Sequence, residues 1–162
     1  MKKNEGRFIS AIFCDDIRHE LGGKMSYMGC YRGEIVVETA PVLLPKLCAF
    51  ISITTPKERP FESLMFRVVQ DDDVELARIN LPTKGLTENN QIFDKSSTRT
   101  TIDTSIVFSP FAIEKSTMLR LMATTEEGEI AGPRILIKVA ATKEPAAQSA
   151  KKLKTAKPRT IK

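Results

Sequence analysis

Short apolar runs separated by polar turns dominate the chain from residue 8 to residue 139. Residues 74–81 alternate apolar and polar side chains, which is the period of a strand with one buried face. The other runs are rich in Ile, Val, Phe and Thr, which favour strands, and polar or Gly- and Pro-containing turns separate them. They cover residues 8–14, 24–31, 34–38, 47–55, 64–69, 100–108, 118–123 and 134–139.

Glycine-containing turns predict how some of these strands connect. Arg32-Gly33 separates residues 24–31 from residues 34–38, so we predict a hairpin there. Gly29 lies inside a predicted strand and indicates a bulge or a close backbone approach. The segment 17–21 is predicted to form one helical turn before Gly22-Gly23.

Eight or nine short strands without a long helix predict an all-β domain over residues 1–140. We expect an antiparallel β-sandwich, immunoglobulin-like or C2-like, with a partly open barrel as the alternative. Residues 82–98 are polar and are predicted to form a long loop, with a short helix as an option. The predicted core comprises Phe8, Ile12, Met28, Ile35, Val37, Phe50, Ile53, Phe66, Val68, Leu76, Ile79, Leu119, Leu121, Ile135 and Ile137.

The net charge of +5 is unevenly distributed along the 162 residues. Residues 141–162 carry seven basic side chains and one acidic side chain, whereas residues 1–140 carry 18 basic and 19 acidic side chains. The composition of residues 141–162 is mainly Ala, Lys, Thr and Pro, which predicts a disordered basic tail. Its candidate nucleic-acid contacts are Lys151, Lys152, Lys154, Lys157, Arg159 and Lys162. The alternative is that the tail only keeps the protein soluble.

The three cysteines indicate a reducing compartment. Cys14, Cys30 and Cys48 are odd in number, show no Cys-x-x-Cys spacing and lie in or beside apolar runs, so we expect buried free thiols and a cytoplasmic protein.

The apolar run 8–13 follows Lys2 and Lys3, as in a secretion signal, but it is too short and is predicted to be the first strand. No apolar run reaches the length of a membrane-spanning helix, so no membrane association is expected.

The opening of the chain resembles a family of short bacterial and phage-encoded proteins of unknown function. The resemblance rests on the pattern Phe13-Cys14-Asp15-Asp16-x-Arg18-x-Glu20, followed by Gly23-Lys24 and Gly29-x-Tyr31. The segments Leu44-Pro45-Lys46-Leu47 and Gly132-Pro133-Arg134 add to it. It implies a single β-sandwich domain encoded by bacteria or their mobile elements, and it supplies no catalytic residues. The basic tail is not part of the resemblance.

Carboxylate turns are the first candidates for chemistry. Asp15-Asp16 and Asp71–Asp73 each follow a strand and could bind Ca²⁺ if they met, but solvated turns are the commoner arrangement. Cys14, Asp15, Asp16 and His19 could in principle bind zinc, although no second Cys or His cluster exists. We therefore expect neither a metal site nor a cofactor.

Nucleophilic catalysis would require His19 as a base beside a cysteine or serine, and no nucleophile-elbow motif is present. A non-enzymatic interaction or structural module is therefore expected. Its candidate contact loop consists of Asp15, Asp16, Arg18, His19 and Glu20, with Arg18 expected to pair with one of the carboxylates. The expected partner is another protein, with a second copy of the chain as one option and weak non-specific nucleic-acid binding through the tail as the alternative.

Overall fold

Strands and turns account for the fold of the computed structural model, which describes residues 4–82 and 96–140. The described residues form twelve strands and no helix. None of them therefore forms a helix that could cross a membrane. The strands are β1 (Phe8–Cys14), β2 (Asp16–His19), β3 (Met25–Met28), β4 (Glu34–Val37), β5 (Val42–Leu44), β6 (Leu47–Pro56), β7 (Leu64–Gln70), β8 (Val74–Leu81), β9 (Arg99–Phe108), β10 (Phe111–Ile113), β11 (Thr117–Thr125) and β12 (Gly128–Val139).

The strands form four sheets, none of which closes on itself. A three-stranded sheet has the order β1-β6-β9, and a five-stranded sheet has the order β4-β12-β11-β7-β8. Two further pairs, β2-β3 and β5-β10, make small sheets of their own. All pairs are antiparallel except β4 with β12, which is parallel. The all-β prediction is confirmed, whereas the predicted number of strands was too low and the arrangement is not wholly antiparallel.

One hydrophobic core takes side chains from both large sheets. Along β6 every second residue, including Ile51 and Ile53, is fully buried, and β11 does the same with Leu119 and Leu121. These residues and Ile135 of β12 belong to one cluster of buried apolar side chains. The alternation fixes the register of both sheets, because a slip of one residue would turn the apolar set toward water.

The predicted core was right for the central strands and wrong near the chain start. Phe8, Ile12 and Met28 are exposed, and Phe50 is half-buried outside the main cluster. The strand β1 is apolar on both faces, so its sequence does not reveal which face is buried. The predicted core residues that belong to the buried cluster are Ile35, Ile53, Phe66, Val68, Leu119, Leu121, Ile135 and Ile137, and those that pack against it half-buried are Val37, Leu76 and Ile79.

The hairpin predicted around Arg32-Gly33 was wrong. β3 pairs with β2, and β4 pairs with β12, so the two strands that flank Gly33 belong to different sheets. The segment 17–21, predicted as a helical turn, supplies β2 instead. Pairing with Met25–Met28 across Gly22-Gly23 satisfies its backbone groups and overrides the weak local preference.

Two other local predictions are confirmed. β8 spans residues 74–81 as the alternation predicted, and Asp71–Asp73 forms the turn before it. A turn at Glu126-Glu127 connects β11 to β12. Most of the predicted loop 82–98 and the whole predicted tail 141–162 lie outside the described residues.

A buried arginine ties three segments together at one end of the molecule. The Arg7 side chain is 1% exposed and forms an ion pair of 2.5 Å with Glu126. It also donates to the Thr55 hydroxyl at 3.1 Å and to the backbone carbonyl of Arg59 at 3.1 Å. Its guanidinium lies over the Phe61 ring, 4.6 Å from the ring centre. One side chain therefore joins the start of β1, the loop after β6 and the β11–β12 turn.

Removal of this guanidinium is expected to lower stability strongly. Arg7→Ala should reduce the free energy of unfolding by about 3–5 kcal/mol, because it removes the ion pair with Glu126 and the buried hydrogen bonds to Thr55 and to the Arg59 carbonyl. Arg32→Ala is the matched control, since Arg32 is exposed and should change stability by about 0.5 kcal/mol or less. Urea denaturation of both variants measures the difference, and equal midpoints would contradict the role assigned to Arg7.

Candidate functional site

The candidate loop forms the β2–β3 hairpin, which has a braced base and an open tip. The base is the turn from β1 into β2, and it contains Asp15 and Asp16. The tip is residues 19–24. The structure therefore separates the five predicted residues into two groups with different surroundings.

Asp15 is fixed by close contacts at the base. Its carboxylate accepts a hydrogen bond from the Tyr31 hydroxyl, and its backbone N–H donates to the carbonyl of Met28 at 2.9 Å. Burial and the bond to this carboxylate raise the pKa of Tyr31. Gly29 leaves the space for Asp15, because a Cβ atom there would overlap Asp15 Oδ2. The close approach predicted from Gly29 is confirmed, and its φ of +65° also favours glycine.

Asp16 is held by two cations. Lys46 Nζ lies 2.7 Å from Asp16 Oδ1, and Arg18 Nε lies 3.3 Å from Asp16 Oδ2. The hydrogen bond from Lys46 and then that from Arg18 lower the pKa of Asp16. The expected pairing of Arg18 with a carboxylate is confirmed, although it is one hydrogen bond and not a bidentate pair. Lys46 was not among the predicted site residues, and it reaches Asp16 from the segment just before β6.

The tip of the hairpin is open to solvent. His19 and Glu20 are exposed, and within the described part of the chain their side chains make no hydrogen bond or ion pair. Leu21 is 95% exposed, the highest value among the exposed large apolar residues. Gly22 and Gly23 both have φ near +75°, which allows the tight turn. The tip therefore presents one large apolar side chain, Leu21, to solvent.

The hairpin rests on the outer face of the three-stranded sheet. The Tyr27 ring on β3 contacts the Phe50 ring on β6, with 5.1 Å between ring centres. Below it, the Cys48 thiol donates to the Asp15 carbonyl at 3.7 Å. These contacts explain why Phe50 is half-buried although it lies on the face away from the main core. They hold the base of the hairpin while its tip remains free.

The three cysteines differ in exposure. Cys14 and Cys48 are buried directly opposite each other on β1 and β6, and Cys30 is exposed. Burial raises the pKa of the Cys14 thiol to about 11 and also raises the pKa of Cys48. The prediction of free thiols is confirmed, and the prediction that all three are buried was wrong for Cys30. Cys30 lies in the irregular segment after β3, where the apolar run gives way to a turn.

The structure does not bring the candidate metal ligands together. Asp71 accepts a bond from the backbone N–H of Met118, and Asp72 pairs with Arg120 at 2.9 Å. Among the described residues there is no group of three or more His, Cys, Asp and Glu side chains that could hold a metal ion. His19, the one histidine of the sequence, is on the open tip, where its side chain has no hydrogen-bond partner among the described residues.

The candidate nucleic-acid residues, Lys151 to Lys162, lie outside the described residues. The described residues themselves carry 14 basic and 17 acidic side chains. On the five-stranded sheet the charges pair locally, as in Arg67 with Glu129 and Lys138 with Glu34. This part of the chain therefore presents no cationic excess to a phosphate backbone.

The outer face of the three-stranded sheet was not predicted as a site. It carries one charged side chain between residues 100 and 108, Asp103, which already accepts from the Ser52 hydroxyl at 2.6 Å. Phe8 and Val107 on this face are 51% and 52% exposed. The low charge of residues 100–108, with Asp103 as the one charged side chain, is visible in the sequence, but its meaning depends on knowing that β9 lies at a sheet edge.

Comparison with protein-family models and with curated protein sequences finds no match to the chain. The resemblance of the opening motif to the bacterial and phage family therefore stays a prediction. The class of protein that the fold and the site define is an all-β protein with a braced, projecting hairpin.

The exposure of the thiols predicts their reactivity. In the native protein Cys30 alone should react quickly with an aromatic disulfide reagent, because Cys14 and Cys48 are buried and their raised pKa values leave few thiolates. Three thiols should react after denaturation, and Cys30→Ser should remove the fast phase. Fast reaction of two or more thiols in the native protein would contradict this assignment.

Proposed function

We propose that the protein is a non-enzymatic interaction or structural module of bacterial or phage origin, built as a β-sandwich. The observation that carries the proposal is the β2–β3 hairpin, whose base is braced and whose tip holds Leu21 almost fully in solvent. A rigid base lowers the entropy cost of binding, because the tip is ordered before the partner arrives. An apolar side chain at such a tip fits a pocket on another protein.

The sandwich arrangement is supported by the shared core. Apolar side chains from the three-stranded and five-stranded sheets belong to one buried cluster, as expected when two sheets pack face to face. An immunoglobulin-like or C2-like topology is part of this proposal, although the parallel β4–β12 pair departs from a wholly antiparallel arrangement. The resemblance of the opening motif supports the bacterial or phage origin, and the free thiols support a cytoplasmic location.

The residues of the opening motif divide between the two parts of the hairpin. Asp15, Gly29 and Tyr31 form one contact set, and Asp16 and Arg18 belong to a second. These motif residues hold the base, so they preserve the shape of the hairpin. Glu20 and Lys24 belong to the tip, where they set the charge around Leu21.

A photo-crosslinking residue at position 21 tests the proposal in the cells that produce the protein. We expect a specific partner to crosslink from position 21 and not from position 58, an exposed loop position far along the chain. With the purified partner, Leu21→Ser should weaken binding about tenfold or more, whereas Glu58→Ser should leave it unchanged. Equal crosslinking from both positions, or equal affinity of both variants, would contradict the role of the hairpin tip.

A second candidate function is non-specific nucleic-acid binding through the basic residues 141–162. The specific observation in its favour is the charge distribution, since this segment carries the excess of cations and the described residues do not. Binding of this kind would be independent of sequence and would weaken steeply with salt. The alternative is that the segment only keeps the protein soluble.

Deletion of residues 141–162 tests this second candidate. The deletion should abolish a gel shift with DNA or RNA, because it changes the net charge from +5 to −1. It should leave the melting temperature unchanged, since the core cluster of the described residues is already built by the strands up to β12, which ends at Val139. Undiminished binding by the shortened protein would place the nucleic-acid contact on the strands instead.

A further inference from the structure

Among the described strands, β9 lies at one edge of the three-stranded sheet. It pairs with β6 on one side, and the sheet order places no described strand on its other side. Natural edge strands are usually short, bulged, charged or interrupted by proline, because an open edge can pair with another chain. β9 has ten residues, pairs with β6 without a register shift and contains no proline, and its charged residues are Arg99 at its start and Asp103.

The other sheet edges differ from β9. The edge strand β8 has a bulge opposite Val68-Val69 and carries the ion pair between Arg78 and Glu75 at 2.7 Å. The edge strand β4 has four residues. On β1 the Phe13 carbonyl already accepts from the Tyr31 N–H at 2.8 Å. β9 is thus the long, regular edge of this part of the fold.

The direction of the β9 backbone groups follows from the ladder. In an antiparallel pair, alternate residues direct both N–H and C=O toward one neighbour. The bond from Lys57 N to Thr98 O extends the β6–β9 ladder, so the even-numbered residues of β9 face β6. The groups of Asp103, Ser105 and Val107 therefore point outward, and they have no backbone partner among the described residues.

A side-chain contact supports the same assignment. The Ser52 hydroxyl lies 2.6 Å from the Asp103 carboxylate directly across the ladder. Such short side-chain contacts suit the closely spaced, non-hydrogen-bonded positions of an antiparallel pair. Asp103 is then one of the residues whose backbone groups face away from β6.

We propose that the open edge of β9 pairs with β9 of a second copy of this chain, antiparallel and about a two-fold axis at Ser105. A two-fold axis perpendicular to the sheet pairs odd-numbered residues with odd-numbered ones and even-numbered residues with even-numbered ones. The core-facing sides of the two copies therefore lie on the same side of the joined sheet. With the axis at Ser105, all the outward groups of Asp103, Ser105 and Val107 find partners. The result is a continuous six-stranded sheet across the two copies.

Charge favours the register with the axis at Ser105 over the register with the axis at Asp103. An axis at Asp103 would place two carboxylates directly opposite each other, which is unfavourable. An axis at Ser105 places Asp103 opposite Val107 of the second copy and Thr104 opposite Ile106. The polar residue Ser105 then faces itself, and no like charges meet along the paired segment.

This inference rests on the proposed interaction function and names a second copy as one partner, through a surface separate from the hairpin tip. Equilibrium sedimentation of the full chain should give twice the chain mass of 18.1 kDa. Ser105→Lys and Ser105→Glu should each raise the dimer dissociation constant about tenfold, because position 105 faces itself. An equimolar mixture of the two variants should restore dimers, since Lys then faces Glu.

Ser10→Lys is the matched control, because Ser10 is an exposed serine on the outer face of β1, away from the β9 edge. It should dimerise as the natural chain does. A monomeric natural chain, dimers unaffected by both Ser105 variants, or dimers lost with Ser10→Lys would each overturn the proposal. Crosslinking from position 21 in the Ser105→Lys variant separates the two ideas, because loss of the dimer leaves the hairpin contact intact.

Discussion

The Arg7 guanidinium is the interaction on which the arrangement of the two large sheets depends. It joins the first strand of the three-stranded sheet to the Glu126 turn of the five-stranded sheet, and it holds the loop that carries Arg59. A charge this deeply buried is tolerated only when several groups compensate it. Its donors therefore specify where these segments meet, in addition to the non-directional packing of the core.

At the far end of β1 the same principle of compensated polar groups shapes the hairpin. Asp15 and Asp16 are satisfied by Tyr31, Lys46 and Arg18, so the carboxylate turn is part of the framework. The tip beyond it has no such contacts among the described residues, which leaves Leu21 in solvent. Rigid bases with open tips are the usual way in which β proteins present a binding element.

The surfaces of the two large sheets have different chemistry. The five-stranded sheet carries local ion pairs such as Arg67–Glu129, which keep a surface solvated and discourage association. The three-stranded sheet is nearly uncharged on its outer face and ends in the regular strand β9. The hairpin tip and the β9 edge are separate surfaces of the described part of the chain.

The sequence by itself determined the all-β class, the position of β8 and the turn at Asp71–Asp73, because period-two alternation and turn residues are local signals. It also marked Gly29 as a position of close approach, but it did not predict the β2–β3 hairpin. Only the tertiary structure decided which face of β1 is buried, that β4 pairs with β12, and that Arg7 and Lys46 compensate distant carboxylates. Strand pairing and buried ion pairs join residues far apart in the chain, and no local pattern encodes those partners.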